Sequence, residues 1–313
     1  MYQVLSVLSG ILITVMVAIN GQLTGKYGVY SATVMIHVIG LLFITSLVTI
    51  RRKDLRPLRK LPFYYFLGGA VGVGTVVFNN LAFGHISVSA ILALGLLGQI
   101  LTSLVVDQFG FFRMPQHPFS AQKLPGIALV IFGIVWMLWP FEAAILVPVV
   151  VSLLTGVTIV VSRSINACLT QQTGMLQSTL CNYTVGLLVS LPILFVLGTG
   201  EPMLTSFSLS PRASIYLGGI LGVCIVTSFN AVSSKISSFY VTLLSFAGQV
   251  FSGIALDALL SGSFSIMNLI GGVFVTAGMV QNMVSDRKVV AKPACPCPSD
   301  EQDHPVRTGS KES

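Results

Sequence analysis

Apolar residues in this chain run in long blocks, unlike the strict alternation or single-face periodicity of a water-soluble fold. A helix crossing about 30 Å of hydrocarbon needs about 20 mostly apolar residues. Ten such blocks can be drawn, at 4–22, 30–50, 63–83, 86–108, 121–140, 143–165, 175–198, 212–232, 236–258 and 265–285. The third and fourth blocks, and the eighth and ninth, are separated by only a few residues. Each of those pairs exceeds 40 residues, too long for one crossing. The pattern predicts an all-α integral membrane protein of about ten transmembrane helices.

Composition supports the same class. Hydrophobic residues make up 54% of 313 positions and charged residues 9%, with a mean hydropathy of +0.88. A soluble domain carries about 25% charged residues, whereas a surface facing lipid needs none, because the hydrocarbon is its solvent. The net charge of +7 is placed wrongly for nucleic acid, since residues 51–60 (RRKDLRPLRK) are wedged between apolar blocks.

The basic residues instead fit the positive-inside rule. With the N-terminus cytoplasmic, inner loops carry Arg51, Arg52, Lys53, Arg56, Arg59, Lys60, Arg113, Lys123 and Lys235. Outer loops keep Lys26 and Arg212 beside Glu142 and Glu201. Both termini are therefore expected in the cytoplasm. No basic segment precedes the first apolar block, so a cleaved signal peptide is not expected. Residues 289–313 are rich in Pro, Ser and charge and read as a disordered cytoplasmic tail. Cys168, Cys181 and Cys224 lie in apolar blocks, where thiols act as small hydrophobes. Cys295 and Cys297 form a C-P-C in the tail without the further ligands a zinc site needs.

The chain repeats itself. At an offset of 146, Gly10, Asn20, Leu23, Thr24, Gly28 and Gly40 meet Gly156, Asn166, Leu169, Thr170, Gly174 and Gly186. At 150, Gly68-Gly69, Gly72, Asn80, Ile86-Ser87, Gly98-Gln99 and Asp107 meet Gly218-Gly219, Gly222, Asn230, Ile236-Ser237, Gly248-Gln249 and Asp257. At 145, Gly126 and Gly133 meet Gly271 and Gly278. Shared Leu and Val would mean little, but these matches are glycines and rare polar residues in unchanged order. The units are residues 1–140 and 141–288, followed by the tail at 289–313. Five spans per unit is an odd number, so the second unit enters the membrane in the opposite sense. Inverted repeats of this kind recur in secondary transporters.

These residues resemble the YdcZ-like family of the drug/metabolite transporter superfamily, in a fused two-repeat form. The resemblance lies in Asn20-Gly21-x-Leu23 echoed by Asn166-Ala167-x-Leu169, in Gly-Gly-x-x-Gly at 68–72 and 218–222, and in Gly-Gln-x7-Asp at 98–107 and 248–257. It covers residues 5–285 and implies a bacterial inner-membrane protein of ten helices, without naming a ligand.

Polar groups at membrane depth are costly and face protein or water. Gln99, Ser103 and Asp107 share one side of their helix, at about 100° per residue. Gln99 and Gln249 either wall a polar cavity or cross-link helices. Asp107 and Asp257, near span ends, act either in coupling or gating or as caps and solvent anchors. Asn20 and Asn166 stand at the expected ends of their spans, as C-caps or bends or as pathway lining; Asn79, Asn80 and Asn230 have the same two readings. His37 and Tyr183 occupy equivalent positions and form either a substrate-facing pair or a hydrogen bond between helices. His37 is also the one span residue titrating near neutral pH. Arg163, whose counterpart is Val17, reads first as snorkelling to the headgroups, with contact to an anionic substrate as the other reading. The glycine runs read as close helix packing.

The sequence has no P-loop, metalloprotease motif or nucleophile elbow, so neither an enzyme nor an ATP-driven pump is expected. No cofactor or metal is expected either. The reading is a secondary transporter for a small organic molecule, working by alternating access of two repeats within the lipid bilayer. Gln99, Gln249, His37, Tyr183, Asn20, Asn166, Asn80 and Asn230 are the substrate-binding candidates, and Tyr240 adds aromatic surface. A homodimer is a further expected partnership, and nucleic acid is not. The rivals are a non-transporting assembly or regulatory protein, with its polar residues used up in helix contacts, and a lipid-modifying membrane enzyme.

Overall fold

The computed structural model describes residues 2–111, 121–140, 143–233, 238–261 and 265–290. Its helices are α1 Tyr2–Tyr27, α2 Val29–Ile50, α3 Leu67–Ala82, α4 Val88–Phe109, α5 Leu124–Met137, α6 Leu146–Thr173, α7 Met175–Leu197, the short α8 Pro202–Thr205, α9 Gly218–Ser233, α10 Ser238–Ser261 and α11 Ile266–Val290. Among the described residues there is no β-strand, only an isolated bridge between Phe83 and Ile86. Among the described residues, seven helical segments are long and apolar enough to cross a membrane: 4–27, 29–50, 63–82, 88–106, 143–173, 175–197 and 213–232. α5 and α11 contribute the shorter apolar stretches 121–137 and 266–282. The protein is thus an all-α, multi-pass membrane protein. The Cys295-x-Cys297 tail, Glu142 and Lys235 lie outside the described residues.

Its surface fits that solvent. Leu42, Ile50, Phe195, Val196 and Leu259 are all more than 60% exposed. In water such an apolar surface would drive association, but in hydrocarbon it costs nothing. The interior, by contrast, holds Ser6, Thr14, Ser89, Ser152, Thr155 and Ser178, each nearly fully buried.

Two helix ends differ from the sequence expectation. α1 continues to Tyr27 and α6 to Thr173, so Asn20 and Asn166 lie inside their helices and cap neither. A polar side chain in an apolar run looks like an ending, but each of these asparagines is buried against the other half of the protein. The actual breaks come at Gly28 and Gly174, both with φ of 97°, a left-handed conformation that glycine adopts without penalty. One residue therefore turns α1 into α2, and one turns α6 into α7.

The two halves hold each other through reciprocal contacts. α3 and α4 pack on α6, while their counterparts α9 and α10 pack on α1. A Cβ on Gly69 would come within 2.5 Å of the Asn182 carbonyl oxygen, and one on Gly219 within 2.5 Å of the Ile36 carbonyl oxygen. Asn182 and Ile36 are themselves repeat equivalents. The α5–α11 pair closes in the same way: a Cβ on Gly126 would lie 2.5 Å from the Gly278 oxygen, and one on Gly133 2.6 Å from the Gly271 oxygen. Small residues permit such close backbone approach, which is how membrane helices gain packing energy without a hydrophobic effect between them.

Helix ends are also capped across the halves. Glu201, after α7, accepts the Tyr30 and Ser31 amides at the start of α2 (2.9 and 2.7 Å). Gln177, the equivalent of Ser31, donates through its side chain to the Asp54 carbonyl after α2 (3.3 Å). The Glu201 carboxylate satisfies amides that a helix start leaves without an internal partner, and the Gln177 contact ties the loop after α2 to α7.

Candidate functional site

A cavity of about 170 Å³ lies between the halves. α1, α2, α3 and α4 of the first half supply wall residues, as do α6, α7, α9 and α10 of the second.

Of the candidate binding residues, Gln99, Gln249, His37, Tyr183, Asn20, Asn166 and Asn230 line this cavity. Asn80 does not; its neighbour Asn79 does. Asn80 donates to Thr33 (3.4 Å), just as the equivalent Asn230 donates to Thr179 (3.2 Å), itself equivalent to Thr33. These amides therefore stitch helices together in both halves, and Asn230 also faces the cavity.

His37 and Tyr183 meet, with ring centroids 5.8 Å apart. Glycine makes room for each ring: Gly186 lies against His37 and Gly40 against Tyr183. His37 Nδ1 is 2.8 Å from the Thr33 carbonyl oxygen. That contact requires a proton on Nδ1, which leaves Nε2 as the acceptor in the neutral ring.

Asn20 and Asn166 are 4% exposed, and the Oδ1 of each has no hydrogen-bond partner. Each oxygen sits in the notch of a glycine from the opposite half, Gly218 for Asn20 and Gly68 for Asn166. Asn166 also donates to Asn182 Oδ1 (2.8 Å).

Arg163 is the residue the sequence reading misplaced. Because α6 runs on to Thr173, Arg163 is ten residues from the helix end, about 15 Å at 1.5 Å per residue. It therefore does not snorkel. It lines the cavity, its Nη2 donates to Gln99 Oε1 (3.3 Å), and its guanidinium carbon lies 4.4 Å over the Phe229 ring. The positioning is local: the Gly98–Gly156 crossing brings α4 and α6 so close that a Cβ on Gly156 would lie 2.5 Å from the Gln99 amide nitrogen. Gln99 stands at this crossing, and Arg163, two turns further along α6, reaches it with its side chain. Among the described residues lining the cavity, Arg163 is the only one carrying a full charge.

Asp257 lies away from the cavity. Its carboxylate accepts the Val88 amide (2.8 Å) and the Ser89 amide (2.9 Å) at the start of α4, while Ser87 caps the same end by accepting from Ala90 (3.2 Å). This is the cap reading of that residue, made across the two halves. The side chains of its equivalent Asp107 and of Tyr240 lie outside the described residues. Among the described residues no cluster of three or more His, Cys, Asp or Glu is placed to hold a metal ion.

The buried polar residues of this helical membrane protein converge on an internal cavity, the arrangement a membrane transporter needs. The chain is a member of the family described as "Putative inner membrane exporter, YdcZ", whose sequence profile matches residues 1–136 and again 147–281. It is therefore a two-repeat form of that family, within the drug/metabolite transporter superfamily. No curated protein matches it in sequence. Among the solved structures that match is a crystal structure at TM-score 0.63 and 15% identity, covering 92% of this chain and 98% of that one. At that identity the likeness shows the fold alone.

Proposed function

We propose that the protein is a ten-helix secondary transporter whose two five-helix halves are inverted in the membrane and carry a small organic molecule by alternating access. The observation that carries this reading is the cavity itself, walled by residues of both halves and lined by the amides of Gln99, Gln249, Asn20 and Asn166. A non-transporting assembly protein has no need of such a space. Equivalent helices pack on each other reciprocally, so the halves can exchange roles, as inverted repeats do in known carriers. Both termini lie on the cytoplasmic side of the inner membrane, the substrate sits between the halves, and the family's description as an exporter supports export as the direction.

The test uses a single cysteine, Ile159→Cys, in the cavity wall, with the five native cysteines replaced. A membrane-impermeant maleimide is applied to intact cells and to inverted vesicles. Labelling from both sides is expected, because alternating access opens the site to each in turn. Labelling from neither side, in folded protein, would leave the assembly rival standing. Gln99→Ala with Gln249→Ala is expected to weaken substrate-dependent thermal stabilisation, since a ligand that binds the native state raises its apparent stability.

A further inference from the structure

The geometry points to the substrate class: a small organic carboxylate with an apolar body, its carboxylate held by Arg163 and its body by the apolar wall. The inference rests on reading the cavity as the substrate site.

A guanidinium at membrane depth is costly and marks a functional site by default. In the first half the same helix position is Val17, 3% exposed, so this helix crossing does not need a cation. In the second half the group is held in place: Phe229 lies under its plane at 4.4 Å and Gln99 meets one edge at 3.3 Å. Arginine presents a rigid planar fork that matches a carboxylate, and it stacks on aromatic faces. An aromatic face below and an amide beside it fix the orientation of that fork before any ligand arrives.

The rest of the wall mixes neutral polar and apolar side chains. Near Arg163, the side-chain amide nitrogen of Gln99 adds a neutral donor, and no Asp or Glu is among the lining residues. Apolar surface for the body comes from Ile36, Ile91, Ile159 and Val226, beside the neutral polar groups of Asn20, His37 and Gln249. In a low-dielectric site a single positive charge dominates selection, because interactions are screened far less there than in water. A cation would be repelled. A neutral amide would gain hydrogen bonds only, whereas a charge-assisted pair is about twice as strong as a neutral one. The volume of about 170 Å³ suits an aromatic or branched aliphatic acid.

The experiment compares three probes of one shape and different charge, benzoate, benzamide and benzylamine, by thermal shift and titration on the full-length protein in neutral detergent. The proteins are wild type, Arg163→Gln, Arg163→Lys and Phe229→Leu, with Lys26→Gln as a cation control outside the cavity. Benzoate is expected to bind and the other two to bind at least about tenfold more weakly, a difference of about 1.4 kcal/mol. Arg163→Gln is expected to remove that preference, Arg163→Lys to keep part of it, and Lys26→Gln to leave it unchanged. Should Arg163→Gln fail to fold, Phe229→Leu is still expected to weaken benzoate several-fold. Equal binding of the amide or the amine, benzoate binding indifferent to both cavity variants, or silence of all three probes at about 10 mM (weaker than millimolar, about −4 kcal/mol) overturns the proposal. None of these results touches the carrier reading, which falls on the cysteine labelling instead; benzoate binding with one-sided labelling would mean an anion site without transport.

Discussion

His37 and Tyr183 stand at equivalent positions of the two repeats and touch each other, with ring centroids 5.8 Å apart. They meet because α2 and α7, equivalent helices of the two repeats, pack on each other. Each ring rests on the glycine that the other half supplies, Gly186 under His37 and Gly40 under Tyr183. Gly186→Leu is therefore expected to lower the apparent Tm by several degrees, through overpacking worth about 1–3 kcal/mol. Adding His37→Ala to it should recover part of the loss, because the two changes share one space. Melting of the single and double variants in detergent checks this, and strict additivity would disprove the shared space.

Glycines of the α5–α11 seam should tolerate even less. At Gly126 and Gly278 an added Cβ meets backbone oxygen of the facing helix, which cannot move aside as a side chain can. Gly126→Ala is expected to lower the melting temperature clearly. Gly25, in α1, has nothing within 4 Å of its added Cβ. There alanine should be neutral or stabilising by up to about 1 kcal/mol, the helix-propensity difference.

Those contrasts show which parts of the structure the sequence reveals. The repeated glycines and asparagines were legible because duplication kept both partners of each contact: Asn20 with Gly218, Asn166 with Gly68. That the chain is helical and crosses the membrane several times followed from apolar run length. What the sequence hid was depth. Asn20 and Asn166 interrupt apolar runs and so read as helix ends, and that error moved Arg163 to the membrane edge. Arg163 also lacked a counterpart, and an argument built on matched positions gives least weight to the residue that breaks the match. Its neighbour Phe229, equivalent to Asn79, is hidden by the same asymmetry.

Asp257 should prove structural. Asp257→Ala removes the acceptor from the Val88 and Ser89 amides, and losing a cap costs about 0.5–2 kcal/mol. Asp257→Asn keeps one acceptor oxygen and should cost less. Hydrogen exchange at residues 88–91 should rise in the alanine variant. If binding falls while exchange and melting stay unchanged, Asp257 has a direct role in transport.

Glu201 makes the corresponding cap on α2, through the Tyr30 and Ser31 amides. Glu201→Ala is expected to cost about 1 kcal/mol and to raise exchange at residues 29–32 while leaving ligand binding intact. Unchanged exchange there would argue against the cap.

The locked pairs Asn20–Gly218 and Asn166–Gly68 also bear on inheritance. Each lock takes its bolt from one half and its keyhole from the other. A change in either half is thus read by the other, and neither can drift alone. Transplanting a single half from a relative would bring bolts cut for different keyholes. The two halves, though born as copies, are now heirs to one joint estate and have to be exchanged together.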